Sequence, residues 1–322
     1  MSGSNETSSS VKEFLIIGFV GFRDQQSRRY LFGVFLTVYL SILFGNILLI
    51  LIFLSDSTLH TPMYILICGL AVLDIAITTT TVPSLLVLFT FEYRLVSLAS
   101  CFTQAAFFLG LFAAECFLLA LMAYDRYIAI CKPLHYPNLI YNSRITKLMV
   151  CCWMVGFLCA ALVVTLLLKL SFCGSNKISR SFCDFGSVLI LACGDIQITN
   201  YVAFTVALSV LLIPLVFILF SYMRIIFSVF KIASSEGRLK AFYTCGTHML
   251  VISVFFLVAC SDFVAFRIPG TSLDTRIMIP IIQNVFPALV NPIIYCLRTK
   301  EIRQSFIKTL KKLRVVKDAK KN

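Results

Sequence analysis

Apolar runs long enough to cross a bilayer recur seven times along this chain, separated by shorter polar connections. The pattern predicts helices over approximately Tyr30–Leu54, Met63–Thr90, Ser97–Tyr127, Ile145–Leu168, Ile196–Phe230, Ala241–Phe266 and Ile277–Leu297. Past the seventh run, Lys300–Leu313 places Ile302, Phe306, Ile307, Leu310 and Leu313 on one helical face and lysines on the other. That is the pattern of an amphipathic helix lying on a membrane surface. The expected fold class is all-α, a seven-transmembrane helix bundle with a short amphipathic eighth helix. Three regions follow: an N-terminal segment over 1–29, the bundle over 30–297, and the eighth helix with its tail over 298–322.

Composition agrees. Of 322 residues, 59% are hydrophobic and 13% charged, and the mean hydropathy is +0.94. A soluble domain of this size has nowhere to hide so much apolar surface. The net charge of +13 raises nucleic acid as a partner, so its location matters. From Arg298 onward the tail holds ten Lys/Arg against two Asp/Glu, a net +8. A basic tail beside a membrane span fits anionic lipid. No groove-reading or base-stacking module accompanies it, so no nucleic acid is expected.

Loop charge sets the orientation. With the N-terminus outside, the inner loops carry Arg126, Lys132, Arg144, Lys147, Arg224, Lys231, Arg238 and Lys240. Arg28, Arg29 and Asp56 run against this rule and are outvoted. The first 25 residues are polar and Ser-rich, without the apolar core of a cleavable signal. Asn5-Glu6-Thr7 is a glycosylation acceptor at Asn5 if that terminus is outside.

Most of the 13 cysteines fall within spans or on the inner side and read as small apolar packing residues. Cys101, Cys173, Cys183 and Cys193 all fall on the outer side. Four oxidised cysteines allow three connectivities, and sequence alone does not choose.

The third span ends in Asp125-Arg126-Tyr127. From Cys101 to Arg126 is roughly 37 Å of helix at 1.5 Å per residue, so one helix carries Cys101 at one surface and Arg126 at the other. Arg126 can pair with Asp125 at rest and release toward a partner; as an isolated feature it reads equally as an interfacial arginine that snorkels. The seventh span ends Asn291-Pro292-Ile293-Ile294-Tyr295. Pro292 frees a backbone carbonyl that Asn291 is placed to serve. Pro214 and Tyr222 in the fifth span, Gly45-Asn46 in the first and Trp153 in the fourth complete the set.

Together these residues resemble the rhodopsin-like (class A) G-protein-coupled receptors over nearly the whole chain. The resemblance narrows to odorant receptors through Leu59-His60-Thr61-Pro62-Met63-Tyr64, Lys132-Pro133-Leu134-His135-Tyr136, Ser221-Tyr222, Phe182-Cys183-Asp184 and the block from Lys240 to His248. The chain departs from the family at Tyr243, where Ser is usual, and at Phe255-Phe256-Leu257, where Phe-Tyr-Gly is usual.

The resemblance implies Cys101–Cys183 and Cys173–Cys193 bridges. It implies a small-molecule odorant as ligand, a stimulatory, olfactory-type G protein as partner, a rise in cyclic AMP, and the plasma membrane of sensory neuron cilia as location. It assigns the activation switch to Asp125, Arg126, Tyr127, Tyr222, His248, Asn291, Pro292 and Tyr295. By spacing, Gln104, Phe108, Phe112 and Glu115 share one face of the third span. By resemblance Val206, Val210, Phe256, Ala259, Cys260, Phe263 and Asn284 point to the same cavity, apolar and aromatic with few polar anchors. An amine ligand is disfavoured because Phe108 stands where amine receptors carry an Asp. The seventh span has no lysine for retinal.

Asp74 and Glu115 lie mid-span, where a charge costs on the order of 3 kcal/mol. The resemblance implies an allosteric sodium ion held with Asn46 and Asn291; a hydrogen-bonded polar core without an ion accounts for the same residues. Asp262 has two readings, a ligand contact or a pair with Arg267 at the membrane surface, of which the surface pair is preferred. No other cofactor is expected. No cluster with metal-ligand spacing, nucleophile elbow or phosphate loop occurs, so no enzyme is expected. A transporter would leave Asp125-Arg126-Tyr127 and Asn291-Pro292 without a role, and no internal repeat supports one.

Overall fold

The computed structural model describes residues 12–319 except 18, 20, 22–23, 92, 174, 232–233, 266–267, 269 and 271; the side chains at 237, 240–244, 262–263, 265, 273, 276 and 310–319 also lie outside the description. Asn5, Asp262, Phe263, Arg267, Leu310 and Leu313 therefore fall outside the described side chains.

The helices, in order, are α1 (Gln25–Ser55), α2 (Pro62–Thr90), α3 (Leu98–Cys131), the short α4 (Tyr136–Leu139), α5 (Asn142–Leu167), the short α6 (Phe185–Leu189), α7 (Gln197–Phe230), α8 (Ser235–Ala265), α9 (Leu273–Arg298) and α10 (Lys300–Ala319). Six are long and apolar enough to cross a membrane, and α8 adds the shorter apolar stretch Cys245–Ser261. The chain is thus a seven-helix membrane bundle (α1, α2, α3, α5, α7, α8, α9) with α10 as its eighth helix.

Several helix ends run past the apolar stretches. The first helix begins at Gln25 rather than Tyr30, inside the N-terminal segment drawn over 1–29, because Asp24 caps it with a 2.7 Å bond from the Ser27 amide. That bond holds the Asp24 carboxyl below its ordinary value. Similarly Ser272 caps α9 through the Thr275 amide at 3.2 Å. Hydropathy marks the lipid-facing length, whereas capping decides where the helix starts.

We call the end bearing Cys101 upper and the end bearing Arg126 lower. The third helix runs through the middle of the bundle, with Cys101, Ala114, Cys116, Leu118 and Ala123 fully buried. It lies close to α5 because both are small at the crossing. A Cβ on Gly156 would sit 2.6 Å from the Gly110 carbonyl oxygen and 2.7 Å from the Ala114 nitrogen. Lipid offers no hydrophobic drive between helices, so such close backbone packing is what holds them.

The first and ninth helices meet at the Pro292 bend. A Cβ on Gly45 would approach Pro292 Cγ to 3.1 Å. Pro292 has no N–H for the Ala288 carbonyl four residues back. That carbonyl accepts instead from Asn46 Nδ2 at 3.0 Å. This corrects the expectation that Asn291 serves it, since the Asn291 amide is engaged elsewhere.

The upper end carries strands that the hydropathy pattern did not foresee. β1 (Glu13–Ile17) pairs antiparallel with β2 (Tyr93–Ser97), Leu15 opposite Leu95, and parallel with β4 (Lys177–Ile178). Phe14 and Ile16 alternate inward and are fully buried. The Phe14 ring packs edge-on against Phe172 at 5.5 Å. β3 (Ser171–Phe172) and β5 (Ala192–Cys193) form a second, antiparallel ladder. The N-terminal segment is thus partly built into the upper surface.

At the lower end, Asp56 between α1 and α2 accepts from Ser305 Oγ of α10 at 2.7 Å and faces Lys308 Nζ at 3.5 Å. Ile302 and Ser305 are buried, while Ile307 is exposed. The face of α10 against the bundle is therefore set by Ile302 and Ser305, and Ile307 stands outside that contact.

Candidate functional site

The upper half of the bundle encloses a cavity of about 180 Å³. Phe108 and Phe112 of α3, Val206 and Val210 of α7 and Ala259 of α8 line it, all apolar, with Gln283 of α9 as an amide in its wall. Periodicity places them there: Phe108 and Phe112 are four apart on one helix, as are Val206 and Val210 on another. Cys159 and Val163 of α5, Phe185 of α6 and Ala203 of α7 also line the cavity. None of these four was singled out by sequence, because residues facing a cavity and residues facing lipid are equally apolar in a membrane helix.

The roof is the segment between α5 and α7, held by Cys101–Cys183 and Cys173–Cys193. Phe182, beside the first bridge, sets its ring edge-on to Phe108 at 4.9 Å. Gln104, one turn above Phe108, is expected in the ligand pocket, and the structure places it differently. Its Nε2 donates to the Thr80 carbonyl at 2.8 Å and to Ser84 Oγ at 2.9 Å, while its Oε1 accepts the Cys183 amide at 3.0 Å. An amide satisfied on both sides is a clip between helices and roof rather than a ligand anchor.

The floor is a stack of Phe112 on Phe255, centroids 5.5 Å apart and planes 26° from parallel. Below it lies a second cavity with about 10 Å³ open to the centre of a water-sized sphere. Asp74, Glu115, Gln283 and Asn284 line it. Asn284 therefore belongs to this layer and not to the upper cavity's wall. Asn291 Nδ2 donates to Asp74 Oδ1 at 3.3 Å and Oδ2 at 3.0 Å. Asn284 Nδ2 and Asn291 Oδ1 are buried without a partner among the described residues. Two carboxylates and two amide side chains suit a small alkali cation or one water by donor chemistry. Asn46 is not a wall residue, its amide nitrogen being taken by the Ile42 and Ala288 carbonyls, both at 3.0 Å.

Phe256 is buried edge-on against Phe255 at 5.1 Å, and Cys260 packs half-buried against the main core. Neither is among the described lining residues of the upper cavity.

At the lower end Arg126 is buried and paired with Asp125, its Nε donating to Oδ2 at 2.9 Å. Tyr136, on the segment after α3, donates from its hydroxyl to Asp125 Oδ1 at 2.9 Å. Burial, then the neighbouring carboxylate, push this phenol above its ordinary range, so it remains a donor. Sequence reasoning placed Tyr136 in a matching block but gave it no part in the switch. Nearby, the rings of His248 and Tyr295 lie 5.9 Å apart. The Tyr222 and Tyr295 hydroxyls are buried without partners among the described residues. Tyr127 packs half-buried against the core.

A profile of the olfactory receptor family matches residues 35–313. The chain belongs to the olfactory receptor family. It is 38% identical over 308 residues to Olfactory receptor 6N1 of Homo sapiens, covering 96% of this chain and 98% of that one. It is 39% identical over 312 residues to Olfactory receptor 2A12 of Homo sapiens, covering 97% and 99%. Olfactory receptor 5AR1 of Mus musculus is 36% identical over 308 residues, covering 95% and 98%. The receptor is thus a multi-pass membrane protein of a family of odorant-responsive, G-protein-coupled receptors and not an enzyme.

Proposed function

We propose that the receptor binds a small, mostly apolar odorant in the upper cavity and passes the event down α3 to a stimulatory, olfactory-type G protein, raising cyclic AMP. The observation that carries this reading is one helix with Phe108 and Phe112 in the cavity wall and the Asp125–Arg126 pair at its far end. The cavity is smaller than the roughly 300–1,000 Å³ of drug-sized sites, which favours a compact ligand. Its apolar wall favours desolvation of hydrocarbon over recognition of charge.

The mechanism is a population shift. A ligand against Phe112 bears on the Phe112–Phe255 stack and so on the relation of α3 to α8. Gln283 lines both cavities, which ties the ligand to the Asp74–Glu115 layer. In the resting arrangement Asp125 and Tyr136 hold Arg126. In the active one the lower end of α8 swings out, Arg126 turns to the G protein, and the Tyr222 and Tyr295 hydroxyls gain partners. A sodium ion held by Asp74 and Glu115 would stabilise the resting layer.

The upper end faces outward in this reading. Asn5 is then available for glycosylation, the basic tail meets anionic inner-leaflet lipid, and the receptor resides in the plasma membrane, including sensory cilia.

The test is cyclic AMP in cells expressing the receptor with an olfactory-type G protein, against a chemically broad odorant panel. A dose-dependent response lost in both Phe108→Ala and Arg126→Ala is expected, with Arg126→Ala retaining ligand binding. Retained signalling by Arg126→Ala at normal surface expression would overturn the coupling route.

A further inference from the structure

A separate crevice of about 380 Å³ opens on the outside of the bundle between α2, β2 and the upper turns of α3. Thr80, Arg94, Ser100, Thr103, Gln104 and Phe107 line it. Ser100, Thr103 and Phe107 are spaced three and four apart, share one face of α3 and are exposed. Phe108 and Phe112, which face the ligand cavity, lie on another face of the same helix. This crevice therefore opens on the outer side of the bundle, from Ser100 beside Cys101 at the upper surface to Phe107 two turns of α3 below.

Arg94 is its distinctive feature. β2 lies beyond the upper end of α2, yet the Arg94 guanidinium reaches down to Ser84, donating from Nη1 to Oγ at 2.9 Å. Ser84 is six residues below Thr90, roughly 9 Å along the helix at 1.5 Å per residue. An arginine at a membrane edge ordinarily extends its charge toward water. This one runs down along α2 instead. Ser84 Oγ is its one hydrogen-bond partner among the described residues, and a guanidinium carries five N–H donors. No carboxylate among the described residues pairs with it. A half-buried guanidinium with N–H donors to spare is matched by an anion, and its paired geometry is best met by a phosphate or carboxylate. The hydroxyls of Ser100 and Thr103 add donors at the mouth, and Phe107, 51% exposed, offers an apolar wall below.

We propose that this crevice binds an acyl-chain amphiphile with an anionic oxygen headgroup, the headgroup on Arg94 and the chain along Phe107. Phosphate of a membrane phospholipid and carboxylate of a free fatty acid share this chemistry. The site is distinct from the odorant cavity and independent of the ligand and G-protein reading. Its connection to the roof is direct: Ser84 Oγ accepts from both Arg94 and Gln104, and Gln104 accepts the Cys183 amide. Occupancy would therefore hold the clip that positions the roof.

The experiment is native mass spectrometry of the full-length receptor released from detergent micelles after incubation with dioleoyl phosphatidylglycerol, oleate or inorganic phosphate. Wild type is expected to retain one equivalent of a chain-bearing anion and none of inorganic phosphate. Retention of the phospholipid or of oleate identifies which source supplies the headgroup. Arg94→Gln, which keeps a donor for Ser84, is expected to reduce that retention at least tenfold. Thr103→Trp fills the crevice from an exposed position, leaves Arg94 in place and is expected to do the same. It decides the matter if Arg94→Gln does not yield monodisperse receptor. Retention by both variants equal to wild type, or no retained equivalent in wild type, overturns the proposal.

Discussion

Asn46 Nδ2 donates to the Ala288 carbonyl, at 3.0 Å, the group that Pro292 leaves without its helical donor. A side chain on the first helix thus repairs a backbone defect in the ninth, and the small Gly45 beside it lets the two helices come close enough. Replacing Asn46 by Leu leaves a buried acceptor unpaired. The expected cost is about 1–3 kcal/mol, nearer the lower end in a membrane, where interhelical bonds average about 0.6 kcal/mol. A lower melting temperature of purified receptor checks this; an unchanged one would mean that another group serves Ala288.

Tyr136→Phe removes one of the two partners that hold Asp125 and leaves packing intact. A hydrogen bond to a charged group contributes about 1.5–3 kcal/mol, part of which water recovers at this edge of the bundle. Basal cyclic AMP, normalised to surface expression, is expected to rise about fivefold. Basal signalling equal to wild type would show that Tyr136 does not restrain Arg126.

Gln104→Leu separates a clip from a ligand contact. The roof should loosen, seen as faster amide exchange over Ser181–Leu189, because the Cys183 amide loses its acceptor. Rank order among odorants should be preserved. A changed rank order with unchanged exchange would return Gln104 to the pocket.

Ser305→Ala should free α10 from the first lower connection, with amide exchange over Ile302–Thr309 roughly fivefold faster, the scale of one net hydrogen bond. The pH dependence follows from Asp56. The Ser305 bond, then those from Thr58, hold its carboxyl below the ordinary value of 3.8. A depressed folded-state pKa means that its contribution is complete above about pH 4 and is lost only as pH falls toward the depressed value. Docking of α10 is therefore expected to be flat between about pH 5 and 8. Amide protection over Ile302–Thr309, taken relative to the intrinsic exchange rate at each pH, that falls between those values would show that Asp56 is not the anchor.

Sequence alone determined the bundle, the number of spans, the eighth helix and the pairing of neighbours such as Asp125 with Arg126. Bilayer length and hydrophobicity act locally, and Asp125-Arg126 and Asn291-Pro292 are each adjacent in the chain, so both are readable one segment at a time. Tertiary structure alone decided which partner each polar side chain takes. Gln104 became a clip because Thr80 and Ser84 of α2 and Cys183 of the roof converge on it. Asn46 rather than Asn291 serves the Ala288 carbonyl because α1 crosses at the bend. Asp56, an exception to the charge rule along the chain, meets Ser305 and Lys308 almost 250 residues later. The strand Glu13–Ile17 is too short and isolated to be read before Tyr93–Ser97 lies beside it. A buried hydrogen bond is a relation between segments, and its energy depends on their meeting at about 3 Å. Hydropathy brings helices into a bundle, but in lipid it does not distinguish the face toward a cavity from the face toward an acyl chain.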